Sequence, residues 1–217
     1  MLHNFKKSSN QLTLAINSND NSYGFGYREN NNDESDHFFI KKFDNDLCNN
    51  LVVDFDKFIS KENLKRVNRI KVSLGPANFN ASRLIVVLAR TISQQINCPL
   101  EGVSSFQLMA KRIALKNSLF PNIKSFWIYK KLKRKGFIAG KYQVYLPHQN
   151  AGDIVTRENV IPKLFENLEN SQPNFEANYE DKQDLKELLN LSNKNLKIAN
   201  LNSWEKVFPI YPISPFN

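Results

Sequence analysis

Residues 70–105, IKVSLGPANFNASRLIVVLARTISQQINCPLEGVSS, decide the fold. Ile70, Val72 and Leu74 alternate with Lys71 and Ser73, the period-two pattern of a strand with one buried face, and Gly75-Pro76 ends it in a turn. A helix follows, capped by Asn78 or Asn80, with Ala81, Ile85, Leu88, Ile92 and Ile96 at helical spacing on one face until Cys98-Pro99 stops it. Leu100 and Val103 begin a second short strand. Strand, tight turn, helix, strand is a right-handed crossover onto a parallel sheet.

The helix carries more apolar surface than one core contact needs. Leu84, Val86 and Val87 lie off that stripe, beside Arg83 and Arg90. Either the helix is central and covered by its own chain, or it has a second surface to bury against a partner.

These residues carry a resemblance. The stretch resembles the TsaB (YeaZ-like) family, the non-catalytic subunit of the bacterial machinery that makes threonylcarbamoyladenosine in tRNA. The family's hallmark is a strand, Gly-Pro-Gly-Ser-Phe-Thr-Gly-Leu-Arg, a helix, and then Pro-Leu-x-Gly-Val-Ser-Ser. The matching residues here are Gly75, Pro76, Phe79 and Arg83, then Pro99, Leu100, Gly102, Val103, Ser104 and Ser105. Ala77, Asn78, Asn80, Ala81 and Ser82 stand where the family has Gly, Ser, Thr, Gly and Leu, so two glycines that permit close backbone approach are replaced, as in a divergent member.

The resemblance implies an α/β protein with the ribonuclease-H-like, actin-like ATPase (ASKHA) fold. It implies two lobes, residues 1–103 and a smaller, divergent 104–217. It further implies a scaffold rather than an enzyme, one that binds the catalytic subunit TsaD and supports threonylcarbamoyl transfer to adenosine 37 of tRNA. A TsaE-like ATPase is the third partner, and a homodimer is an alternative assembly. In the family the contact with TsaD is built from the first two helices of the first lobe, which correspond here to residues 46–59 and 80–96. The contact candidates are then Val52 and Val53 on one helix and Arg83, Leu84, Val86, Val87 and Arg90 on the other.

The 217 residues, 41% hydrophobic and rich in Phe, suffice for a substantial core and argue against disorder. A net charge of +9 admits nucleic acid, an anionic membrane surface or an acidic protein as partner, although Lys, Asn and Ile are also what AT-rich coding enriches. Cys48 and Cys98 are far apart and suggest neither a disulfide framework nor zinc. The N-terminal MLHNFKKSSNQ lacks the apolar run of a signal peptide, and no stretch approaches the roughly 20 apolar residues of a membrane span, so the expectation is a cytoplasmic protein.

Before the central stretch, Leu12, Leu14 and Ile16 and then Tyr23, Phe25 and Tyr27 alternate as a hairpin, with a third strand from Phe38 to Phe43. By the resemblance, the first strand ends where nucleotide-binding members of the fold place an aspartate beside a metal-phosphate group. Asn17 stands there, and a neutral amide is a poor magnesium ligand, so no cofactor is expected. Leu47, Leu51, Phe55, Phe58 and Ile59 mark the next helix. The basic run Lys65, Arg66, Arg69, Lys71 reads as a solvated approach to the sheet or as a phosphate contact.

Past Ser105, Phe106, Leu108, Met109 and Ile113 form a helix. Two aromatic strands, residues 125–129 and 137–145, flank the tip Lys130, Lys131, Lys133, Arg134, Lys135 and Gly136. Rings among cations suit single-stranded RNA, and the rival reading is a hairpin with its rings in a core and its tip solvated. Val160, Ile161, Leu164 and Leu168 predict a short helix, 172–181 a polar connector, and Leu185, Leu188 and Leu189 a last helix. The tail WEKVFPIYPISPFN resembles the family's terminal Pro-x-Tyr segment.

His3, His37 and His148 show no zinc-peptidase spacing, and no Walker sequence, G-x-G-x-x-G or G-x-S-x-G occurs. Ser104 and Ser105 read as cap or turn residues. A free-standing basic RNA-binding module is the alternative to the scaffold, and a nucleotide-dependent enzyme of the same fold is a third reading.

Overall fold

The computed structural model describes residues 11–30, 36–43, 46–133, 136–146, 154–168, 172–191 and 204–212. Three strands open the chain, β1 (Leu12–Ser18), β2 (Ser22–Glu29) and β3 (His37–Lys42). They are followed by α1 (Leu47–Phe58), α2 (Lys61–Arg66), β4 (Val67–Ser73), α3 (Phe79–Ile96) and β5 (Leu100–Val103). The sheet runs β3-β2-β1-β4-β5, with antiparallel pairing among the first three strands and parallel pairing of β4 to β1 and of β5 to β4. This is the ribonuclease-H-like topology, with β4-α3-β5 as its crossover.

Helices α1 and α3 cover one face of this sheet. Leu14, Ile16, Ile70 and Val72 meet Leu51 and Phe55 from α1 and Ile85, Val86 and Ala89 from α3. Phe25 anchors the cluster, fully buried, stacked on Phe39 at 5.7 Å and edge-on to Phe55 at 5.2 Å. Burying a Phe contributes roughly 1.5–3 kcal/mol, which explains why a Phe-rich, glycine-poor chain builds its first lobe around aromatics.

The second unit follows: α4 (Ser105–Lys116), β6 (Ser125–Leu132), β7 (Gly136–Tyr145), β8 (Val155–Phe165), β9 (Asn174–Glu176) and α5 (Asp181–Asn190). Its sheet runs β8-β7-β6-β9, and α4 packs Phe106, Met109 and Ile113 onto Phe126, Ile128, Ile138 and Tyr142. Helix α5 returns to the first sheet, where Leu185, Leu188 and Leu189 join Ala15 and Val103 on the face opposite α1 and α3. Residues 204–212 also return: Val207 is buried in the first core, and Ile210 N donates to Leu74 O at 2.8 Å.

Three expectations need correction, and one element, α2, had no signal in the sequence. Residues 160–168 were expected as a helix, but 155–165 form β8. Alternating Thr156 and Glu158, both buried, serve hydrogen bonds there, so polar residues carry the inward face and hide the period of two. The connector 172–181 contains β9, a three-residue edge strand too short for a periodic signal. Residues 61–66 form α2, started by Ser60, whose hydroxyl accepts from Asn63 N at 3.2 Å.

The third correction concerns α3. Its buried face is Ala81, Ser82, Ile85, Val86, Ala89, Ile92 and Ser93, so Val86, at 1% exposure, belongs to the core rather than to an outer surface. Small residues at 81, 82, 89 and 93 let the helix approach the sheet closely. A stripe drawn through the largest apolar residues points too far toward Leu88 and Ile96, which pack at the margin.

Gly102, within the Pro-Leu-x-Gly-Val-Ser-Ser match, has a local packing reason. A Cβ there would lie 2.7 Å from Leu74 Cδ1 in the core, so Gly102→Ala is expected to cost about 1–3 kcal/mol by overpacking. Urea unfolding checks this, and an unchanged midpoint would show that Leu74 moves freely.

Candidate functional site

Helices α1 and α3 turn one side to the sheet and leave the other side outward. On α1, Leu51 and Phe55 are buried while Val52 and Val53 are 58% and 48% exposed. On α3, Val87 is 60% exposed, Arg83 is exposed, and Leu84 is half-buried at the core margin. A groove of about 500 Å³ runs between the start of α1 and the first half of α3, lined by Phe43, Leu47, Cys48, Arg83, Leu84 and Val87 among others. The capped start of α3 fixes this geometry, since the Asn78 side chain accepts from Ala81 N at 3.2 Å.

The C-terminal segment borders the same face. The Arg90 guanidinium lies over Trp204 at 5.5 Å and over Phe208 at 4.9 Å, so the chain's own rings hold it. Arg83 lies over Phe79 at 5.3 Å, and Phe79 meets Tyr211 at 5.4 Å between centroids. Phe79, Phe208 and Tyr211 are themselves exposed. Sequence reasoning did not include these three in the surface; for Phe208 and Tyr211 the aromatic spacing of WEKVFPIYP was the available signal.

The corner after β1 is closed by protein groups. Asn17 is buried and its Oδ1 has no hydrogen-bond partner, while Ser18 N donates to Ser73 Oγ at 3.1 Å. Asp181, at the start of α5, accepts from Asn19 Nδ2 and Ser22 Oγ, and Asn19 Oδ1 accepts from Asn21 N and Ser22 N. The recess lined by Asn17, Ser22 and Asp181 encloses essentially no free volume. Among the described residues no cluster of His, Cys, Asp and Glu is arranged to hold a metal ion.

The basic run leading into β4 divides: Lys65 is exposed, as a solvated approach to the sheet requires, whereas the other three cations are each answered by protein groups. Arg66 pairs with Glu29, Arg69 Nε lies 3.4 Å from Glu101 Oε1, and Lys71 is buried. Lys71 Nζ donates to Leu189 O at 2.8 Å and to Leu191 O, capping the C-terminal end of α5, where a cation complements the helix dipole. Burial depresses its pKa to about 8.

Ser104 caps α4, accepting from Gln107 N at 3.1 Å, and donates to Glu158 on β8. Tyr142 Oη donates to the same carboxylate at 2.9 Å, and burial together with that negative charge holds its phenol well above the usual range. Ser104 is thus a buried tie between β5–α4 and the second sheet. His37, stacked on Tyr27 at the far edge of the first sheet, offers it no base.

At the hairpin, Lys130 is half-buried and paired with Asp20 beyond β1. Lys131 and Lys133 are exposed, and Arg134 and Lys135 lie outside the described residues. Phe126 and Ile128 face the core.

The architecture is that of a two-lobed α/β protein of ribonuclease-H-like, actin-type topology, with an exposed apolar helix face on the first lobe. No family model and no curated protein matches the sequence. Solved structures do. A crystal structure of an uncharacterized protein with similarity to peptidase YeaZ from Pseudomonas aeruginosa superposes with a TM-score of 0.67 at 12% identity, over 94% of this chain and 100% of that one. YeaZ from Pseudomonas aeruginosa superposes with a TM-score of 0.62 at 13% identity, over 93% and 99% of the two chains. The chain therefore has the YeaZ fold along nearly its whole length, the fold that the resemblance at residues 70–105 implies.

Proposed function

We propose that this chain is a non-catalytic scaffold subunit that binds a TsaD-like catalytic subunit through the outer side of α1 and α3, and so supports threonylcarbamoyl transfer to adenosine 37 of tRNA. One observation carries the reading: on a YeaZ-fold lobe, Val52, Val53 and Val87 stand exposed on the two helices that the family resemblance assigns to the partner contact. Such residues form the apolar centre of an interface, and Arg83 lies beside them on the rim. Arg90, held between Trp204 and Phe208, shapes that surface rather than reaching across it.

A scaffold without its own turnover is supported by Asn17 at the end of β1, where a carboxylate would be needed to place a metal ion, and by Asp181, whose carboxylate is engaged by Asn19 and Ser22. A TsaE-like ATPase would then supply nucleotide chemistry to the assembly. The site of action is the cytoplasm, where tRNA is modified.

Co-elution tests the reading. The chain mixed with a TsaD-like subunit from the same cell is expected to leave a sizing column as one complex, while alone it hydrolyses no ATP. Separate elution at micromolar concentrations would overturn the scaffold assignment, and ATP turnover lost on substitution in the Asn17 turn would overturn the non-catalytic one.

A further inference from the structure

The second sheet has two faces, and only one is the core. Phe126, Ile128, Ile138 and Tyr142 point toward α4. Directly paired residues share a face and alternate residues reverse it, so the pairs Trp127↔Lys141, Tyr129↔Ala139, Lys131↔Phe137, Phe137↔Phe165, Ala139↔Lys163 and Gln143↔Arg157 place their side chains on the opposite face. Ring contacts agree. Trp127 meets Phe165 at 5.3 Å, Tyr129 meets Phe137 at 5.6 Å, the Lys141 ammonium lies 5.5 Å from the Trp127 centroid, and that of Lys163 lies 5.2 Å from the Phe165 centroid.

Among the described strand residues on this face, four cations, Lys131, Lys141, Arg157 and Lys163, stand against one carboxylate, Glu176, which β9 places beside Tyr129. Among the described residues none of the four is ion-paired with a carboxylate. Tyr129, Phe137 and Phe165 are half-buried.

We propose that the outer face of β8-β7-β6-β9 is a binding platform for a single-stranded RNA segment, with Tyr129, Phe137 and Phe165 offering stacking surface and Lys131, Lys141, Arg157 and Lys163 neutralising phosphates. A four-stranded sheet with rings between cations meets both needs of an unpaired strand, base stacking and charge neutralisation. An acidic peptide satisfies the cations and leaves the rings without a partner. The choice of RNA over DNA rests on the tRNA reading above; the platform does not require the partner subunit. Lys130 contributes less, because it is already paired with Asp20.

The test uses the full chain without any partner, a fluorescein-labelled 12-nucleotide single-stranded RNA of mixed sequence, the DNA of the same sequence and a polyglutamate peptide, read by anisotropy from 50 to 200 mM KCl. The triple variant Lys141→Gln, Arg157→Gln, Lys163→Gln is expected to lower the slope of log K against log salt by about 2, near 0.7 per cation removed. Tyr129→Leu and Phe137→Leu, each checked by its melt, are expected to weaken binding about tenfold with the slope unchanged. No RNA binding by the wild type, an unchanged slope in the triple variant, tighter binding of DNA, or equal binding of polyglutamate each overturns the proposal. Because the partner is absent, these outcomes are separate from success or failure of co-elution.

Discussion

Val87→Glu is expected to leave the chain folded and to abolish co-elution with the TsaD-like subunit. In the free chain the site is 60% exposed, so the new carboxylate remains hydrated, and Glu is at least as good a helix former as Val. In a complex packed over α1 and α3 the same carboxylate is desolvated without a partner. That costs several kcal/mol, and truncations at interface centres alone reach 2 kcal/mol or more, about thirtyfold in affinity. The neighbouring Val86→Glu is the internal contrast: Val86 is 1% exposed between the helix and the sheet, so that substitution is expected to unfold the first lobe. Circular dichroism melts separate the two cases, and a native melt for Val87→Glu with wild-type co-elution would place the partner elsewhere.

That contrast also marks how far the sequence could be read. The β4-α3-β5 unit was legible because alternation at Ile70, Val72 and Leu74 and the cap at Asn78 are local signals. Which of two adjacent valines faces the sheet was not, since hydropathy treats them alike and the answer depends on small residues, Ala89 and Ser93, that let the backbones approach. The exposed Val52, Val53 and Val87 were legible as excess apolar surface. Phe79, Phe208 and Tyr211 joined that surface only once the tail was seen to return across α3, a contact between residues more than a hundred positions apart.

The basic run before β4 was illegible for a similar reason. The charges of Arg66, Arg69 and Lys71 are answered by Glu29, Glu101 and the end of α5, and no local window contains those partners. The rings of β6 and β7 divide between two faces by parity. Composition identified an aromatic and basic hairpin, whereas register was needed to assign Phe126 to the core and Tyr129 to the outside.

Lys71 carries the second large expected effect. Its amine is buried at the C-terminal end of α5; burial lowers its pKa from 10.5 to about 8, against the attraction of Glu101 and Glu187 and with the repulsion of Arg69 and Arg28. Between those values the unfolded chain binds more protons than the folded one, so stability rises with pH across the window. The contribution is fully present above 10.5 and lost as pH falls through 8. From pH 7.5 to 10 the gain amounts to about 2 kcal/mol at 1.36 kcal/mol per pKa unit.

Other phenols, amines and thiols titrate in the same range, including Cys98, pushed up to about 11 by burial, so the measurement is a difference. Urea unfolding of the wild type and of Lys71→Met at pH 7.5, 9 and 10 cancels every group that both chains share. The wild type is expected to gain about 2 kcal/mol on the variant as pH rises. Parallel profiles would mean that Lys71 keeps its proton throughout, held by Leu189 O and Leu191 O more strongly than burial opposes it.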